Sequence, residues 1–273
     1  MRCLLSLPLL LLLLVPALAD GPTITFRDRE RTVKKASLEE LARLVPPVTL
    51  TVYEPHEKRE RRYQALPLEP LLQAVYGANW NEDMELLFRC SDGYQPTVPG
   101  SFARAHKGYL AYASQDSLPF RLKTEHEGEV AAGPLYLVWD NLGDPGLQKD
   151  DSHYWPYQVE EVALIHFRDQ YPRTLLPPGA SPSAEKGFEH FKRLCLMCHS
   201  INGQGGIQAE LNYPLSVTEY WREDMLARWI QDPASIRHGT RMPGLPTTLK
   251  DPEGVARDIM NYLKAMAGKK IQP

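Results

Sequence analysis

A multidomain chain, with an α+β region followed by a small all-α one, is the fold class that this 273-residue sequence predicts. Three observations carry the prediction. Short strand and helix signals alternate through residues 20–170, a proline-rich stretch interrupts them at residues 171–182, and apolar residues at helical spacing fill residues 183–273. The length suits two ordinary domains. Hydrophobic residues at 43% and charged residues at 24% are the balance of a soluble globular protein. A formal net charge of −3 excludes a strongly basic protein, and with it the expectation of a nucleic-acid partner.

The elements follow in order. Met1-Arg2, a Leu-rich run to Leu14 and the ending Ala17-Leu18-Ala19 read as a secretory signal peptide over residues 1–19. Its apolar run is shorter than the roughly 20 residues of a spanning helix, so cleavage and a periplasmic location are expected. Removal of Cys3 leaves Cys90, Cys195 and Cys198, an odd set that completes no disulfide framework. A strand is predicted over Glu85 to Cys90. Residues 171–182 read as an extended linker, because each proline lacks an N–H and restricts the residue before it. Ser181 then caps a helix with Pro182 at its first position and Glu185 in its first turn. A middle helix is predicted over Thr218 to Ile230. A last one follows Asp251-Pro252-Glu253, with Val255, Ile259, Tyr262, Leu263 and Met266 as its apolar stripe.

The chemistry sits in Cys195-Leu196-Met197-Cys198-His199, a C-x-x-C-H sequence that reads as a haem c attachment site. Two thiols three positions apart at a helix end can form thioethers with the two haem vinyl groups, and the adjacent His199 can ligate the iron. A thioredoxin-like redox pair would want a βαβ setting, and a zinc site a second Cys/His pair; neither pattern is present. For the opposite axial position the reading favours Met242, in the Pro/Gly loop Thr240-Arg241-Met242-Pro243-Gly244. A thioether is soft and favours ferrous iron. His190 and His238 are the rivals, while Met225, Met260 and Met266 are read as core and Met197 lies between the haem cysteines. Trp221 and Trp229 are read as haem-pocket or core aromatics, and Arg241 as surface or a propionate partner.

Residues 183–270 resemble a class I cytochrome c domain: Gly187 and Phe191 on the first helix, C-x-x-C-H, the loop from Gly203 to Gly206, Met242-Pro243, and Tyr262-Leu263 on the last helix. The resemblance implies that Gly187, Phe191 and Tyr262 form the crossing of the first and last helices. In that family a Gly-Pro-x-Leu proline carbonyl orients the axial histidine. Here the aligned run is Gln208-Ala209-Glu210-Leu211, which leaves open which carbonyl holds His199. Residues 21–170 resemble the molybdopterin-binding domain of sulfite oxidases through Tyr63 to Leu72, Ser91-Asp92-Gly93-Tyr94 and Gly133 to Val138. The family's molybdenum-ligating cysteine is missing near Tyr53-Glu54-Pro55-His56, so that resemblance implies a fold without molybdenum chemistry.

Cys90 has two readings, a buried inert thiol or a soft metal ligand or redox thiol partnered by His56, His106 or His126. The expected function is that of a periplasmic mono-haem electron carrier exchanging single electrons with redox protein partners, among them a membrane-bound respiratory complex, with the first region as docking module. An oxidoreductase whose first region binds a metal, cofactor or substrate is the alternative. A chaperone-like or sensory first region is a third.

Overall fold

The computed structural model describes residues 22–116, 119–124, 127–147 and 152–273. The expected signal segment, residues 1–19, and His126 lie outside the described residues. In chain order the first part runs β1 (Thr23–Asp28), β2 (Arg31–Ser37), α1 (Leu38–Leu44), β3 (Val48–Glu54), β4 (Arg59–Pro67), α2 (Leu68–Tyr76), β5 (Glu85–Cys90), β6 (Thr97–Pro99), α3 (Gly100–Ala105), β7 (Gly108–Ser114), β8 (Arg121–Thr124), β9 (Gly128–Ala131), β10 (Tyr136–Trp139), β11 (Val159–Ile165) and α4 (Phe167–Gln170). Then come α5 (Pro182–Leu194), the short strands β12 (Ser200–Ile201) and β13 (Gln204–Gly205), α6 (Val217–Tyr220), α7 (Glu223–Gln231) and α8 (Pro252–Ala267).

Two sheets build the first part. One has the order β2-β1-β11-β5-β6, the other β10-β7-β4-β3. In the first, β11 lies parallel to β1 and antiparallel to β5, so Val162 stands opposite both Phe26 and Phe88. Alternation sets the faces: Ile24, Phe26 and Asp28 of β1 are buried while their neighbours are not. Helix α2 follows β4 directly and buries Leu68, Leu71, Leu72 and Tyr76, the spacing of one helical face. The Tyr76 hydroxyl donates to the Val162 carbonyl at 2.7 Å, which satisfies a phenol that burial would otherwise strand. The strand expected over Glu85 to Cys90 is β5.

The predicted fold class is corrected by the structure. The chain is mixed α/β, and residues 183–270 do not form an all-α domain. Asn202 (φ 54°) and Gly203 (φ 77°) turn the chain left-handed and close the β12–β13 hairpin, a geometry no helix continues through. The hydrophobic core under α5 and α8 is also not helical throughout. Leu87 of β5 and Ala163 and Ile165 of β11 pack into it beside Phe191, Ile259, Tyr262 and Met266. A sheet therefore supplies part of the surface that an all-helical unit would have to supply itself.

Local differences have local causes. The middle helix is two pieces, because Trp221 and Arg222 are extended (ψ 143° and 137°) between α6 and α7. That break lets the Trp221 indole lie against Trp229, with ring centroids 5.5 Å apart. The proline-rich stretch is fastened at its start. Thr174 is fully buried, its carbonyl accepts from the Tyr262 hydroxyl at 2.8 Å, and the Leu175 carbonyl accepts from Lys269 Nζ at 2.8 Å.

Candidate functional site

Helix α5 delivers the C-x-x-C-H residues. Ser181 Oγ accepts from the Ala184 N–H at 3.2 Å at its start, where Pro182 costs no hydrogen bond. At its end the Cys195 N–H reaches the Phe191 carbonyl at 2.9 Å. The Cys195 carbonyl then accepts from Cys198 at 3.0 Å and from His199 at 2.8 Å. One tight turn thus holds both sulfurs and the imidazole. The thiols are free, and burial pushes Cys195 up to about 12 and Cys198 up to about 11. Asp92 and Glu127 add to the rise at Cys198, since nearby negative charge opposes a thiolate.

The chain then folds back under this turn. The Gly206 N–H donates to the carbonyls of Leu196 (2.9 Å) and His199 (3.0 Å), and the Gln208 N–H to that of Cys198 (2.7 Å). A Cβ on Gly206 would overlap the Cys198 carbonyl, so the close return requires glycine. The return sets the Ala209 carbonyl 3.0 Å from His199 Nδ1. A carbonyl only accepts, so Nδ1 carries the proton and Nε2 is left with its lone pair. This answers the question the sequence left open: Ala209 holds the histidine.

These residues fit a covalent haem. Two thiols, an imidazole with Nε2 bare, and half-buried Leu211, Trp221, Leu245 and Leu249 packed on the neighbouring core make a suitable donor set and wall. Met242 is half-buried on the loop between α7 and α8, its N–H 3.2 Å from Thr240 Oγ1. The Leu245 N–H ties that loop to the end of α7 through the Gln231 carbonyl at 3.0 Å. His190 lies within α5, half-buried; His238 and Arg241 are exposed.

The first part also touches the motif. The Gln95 N–H donates to the Met197 carbonyl at 3.0 Å, and a Cβ on Gly93 would overlap the Ile207 side chain. The turn Ser91-Asp92-Gly93-Tyr94 therefore packs on the attachment segment. Cys90, at the head of that turn, is buried, and burial pushes its thiol far up. Its suggested partners are engaged elsewhere in part: His106 Nδ1 lies 2.6 Å from Asp144 Oδ2, and His56 rests edge-on against Tyr157. Among the described residues no group of three or more His, Cys, Asp and Glu side chains could hold a metal ion.

One cluster escaped the sequence reading. Glu54 is fully buried and accepts from the Tyr63 hydroxyl at 2.9 Å, the Tyr136 hydroxyl at 2.9 Å and the His56 N–H at 3.2 Å. Burial pushes its carboxyl up to about 7, against the pull of those donors. The signal available was parity: Glu54 shares the inward face of β3 with Val52. No protein-family model matches the chain, and comparison with curated proteins returns no relative at a significant level.

Proposed function

We propose that this chain is a periplasmic mono-haem c-type cytochrome that passes single electrons between redox proteins, its first part serving as the docking module. One observation carries the reading: beside two free thiols, His199 donates from Nδ1 to the Ala209 carbonyl and keeps Nε2 for a metal. Cys195 and Cys198 would hold the haem as thioethers through its two vinyl groups. When bound, the haem iron supplies the one-electron ferric–ferrous couple. His199 would offer Nε2 to the iron, its ring oriented by the Nδ1 hydrogen bond to the Ala209 carbonyl. Met242, on a loop anchored at Gln231, would supply a second iron ligand. Leu211, Trp221 and Leu245, half-buried against the core under α5 and α8, would offer a bound haem apolar surface.

Optical spectra of the exported protein, oxidised and reduced, with mass and metal analysis of the same sample, test the proposal. The expected result is one covalent low-spin haem with a methionine-to-iron charge-transfer band and no other metal. A chain at its apo mass would sink it.

A second reading, an oxidoreductase whose first part binds a substrate or cofactor, draws on a cavity of about 440 Å³. Phe102, Trp139, Tyr154, Trp155, Arg193 and Lys250 line it, between the first part, α5 and the loop that carries Met242. A second metal, or a small molecule that co-purifies stoichiometrically, would move the assignment to this reading.

A further inference from the structure

The geometry points to Glu210 as a positioning residue that fixes the Ala209 carbonyl on His199 and thereby sets the electron-donating strength of the axial imidazole. The inference rests on the proposed haem attachment and deepens it.

The Ala209 side chain is one exposed methyl and cannot hold its own carbonyl in place. The next residue can. Glu210 Oε1 accepts from the N–H groups of Asn202 (2.9 Å), Asn212 (2.8 Å) and Tyr213 (3.1 Å), and Oε2 accepts from that of Gly203 (2.8 Å). Two of these donors form the tip of the β12–β13 hairpin and two lie in the turn after Leu211. A single carboxylate therefore joins the stretch before Ala209 to the stretch after it. Backbone bonds complete the frame: the Gln208 N–H holds the Cys198 carbonyl at 2.7 Å, and the Leu211 N–H holds that of Ser200 at 3.0 Å. Ala209 is the link between two fastened residues, and its carbonyl lies 3.0 Å from Nδ1.

Hydrogen bonds from N–H to a carboxylate are charge-assisted and about twice as strong as neutral ones. Four of them converge on one side chain, two from the hairpin tip and two from beyond Leu211, one residue from the atom that orients the ligand. An imidazole whose Nδ1–H is held by a carbonyl is the more basic donor at Nε2, which favours ferric iron. Without the clamp the carbonyl swings away, the imidazole weakens, and the reduction potential rises.

The test uses the full-length holoprotein with two readouts, the haem reduction potential and the exchange of the His199 Nδ1 proton by NMR. Glu210→Ala is expected to raise the potential and to speed exchange on the order of tenfold, the effect of losing one ordinary hydrogen bond. Glu210→Gln is expected to move both in the same direction by less, since its amide oxygen still accepts while its NH₂ opposes the remaining donor. Ser183→Ala is the control for lost stability. It removes side-chain bonds to Asp258 and Asn261 at the far end of α5, and should lower the melting temperature without moving either readout. A Glu210→Ala protein with unaltered potential and exchange overturns the inference, as does an equal shift in Ser183→Ala. If Glu210→Ala does not accumulate, Glu210→Gln decides on the same two readouts. Absence of haem from the unaltered chain sinks the proposed function and the inference together; a haem indifferent to Glu210 sinks the inference alone.

Discussion

At the scale of single residues, the thioethers and the axial ligands make separable predictions. On the proposed haem assignment, in which attachment runs through Cys195 and Cys198, Met242→Ala should keep the haem but lose the low-spin spectrum and gain reactivity toward small ligands such as cyanide. A spectrum unchanged by that substitution would transfer the axial role to another residue. Glu54 makes a prediction about pH. Its carboxyl sits at about 7 in the folded protein, above its ordinary value of 4.5, so between those values the native state holds a proton that the unfolded chain has lost. The contribution of Glu54 to stability is therefore fully present below pH 4.5 and is lost as pH rises through 7, by on the order of 3 kcal/mol. Glu54→Gln, which removes the titration, should flatten that part of the profile in denaturant melts at a series of pH values. That Cys195, Cys198 and His199 share one turn was legible in the sequence, because it follows from their spacing. Glu54 was not, because a carboxylate's burial depends on the two tyrosines brought to it from β4 and β10.

At the scale of elements, the crossing of α5 and α8 carries the second part. A Cβ on Gly187 would overlap the Asp258 carbonyl, and beside it the Phe191 and Tyr262 rings lie 4.9 Å apart. Only a missing side chain allows that approach. Gly187→Ala should force the helices apart and cost about 2 kcal/mol in a thermal or denaturant melt, the usual cost of overpacking. A loss below a few tenths would mean that the helices slide freely. Asp251 caps α8, which begins at Pro252, inside the segment it was expected to follow. The start of α5 was read from sequence: Ser181 caps it where expected, since a cap is a local hydrogen bond between neighbours. The break at Trp221 was not, because it answers to Trp229, a partner eight residues away that helical periodicity alone does not place.

At the scale of the whole molecule, the two parts share a seam. Lys192 Nζ of α5 meets Glu85 Oε1 of β5 at 2.5 Å and lies 4.2 Å from the centroid of the Phe167 ring, with both charged side chains mostly covered. Removing the cation strands a largely covered carboxylate, so Lys192→Ala should cost roughly 2 kcal/mol. Because strand residues Leu87, Ala163 and Ile165 close the core under α5 and α8, the low-spin spectrum of the proposed haem and the far-ultraviolet circular dichroism should be lost in one coincident transition on heating. Two separated transitions would show that the halves melt independently. Among the described residues no helix is long and apolar enough to cross a membrane.

What the sequence determined by itself is local: the tight C-x-x-C-H turn at the end of α5, the Ser181 cap, the strand over Glu85 to Cys90 and the glycine at the helix crossing. Each depends on residues within a few positions of one another, or on a side chain whose absence is itself the signal. What only the tertiary structure decided is non-local. It replaced the expected all-α second domain with a mixed α/β arrangement, because left-handed residues at Asn202 and Gly203 fold the chain into a hairpin and a sheet from the first part completes the core. It also chose the Ala209 carbonyl for His199 and gathered four N–H groups on Glu210, since a hydrogen bond needs its partners within about 3 Å whatever their separation along the chain.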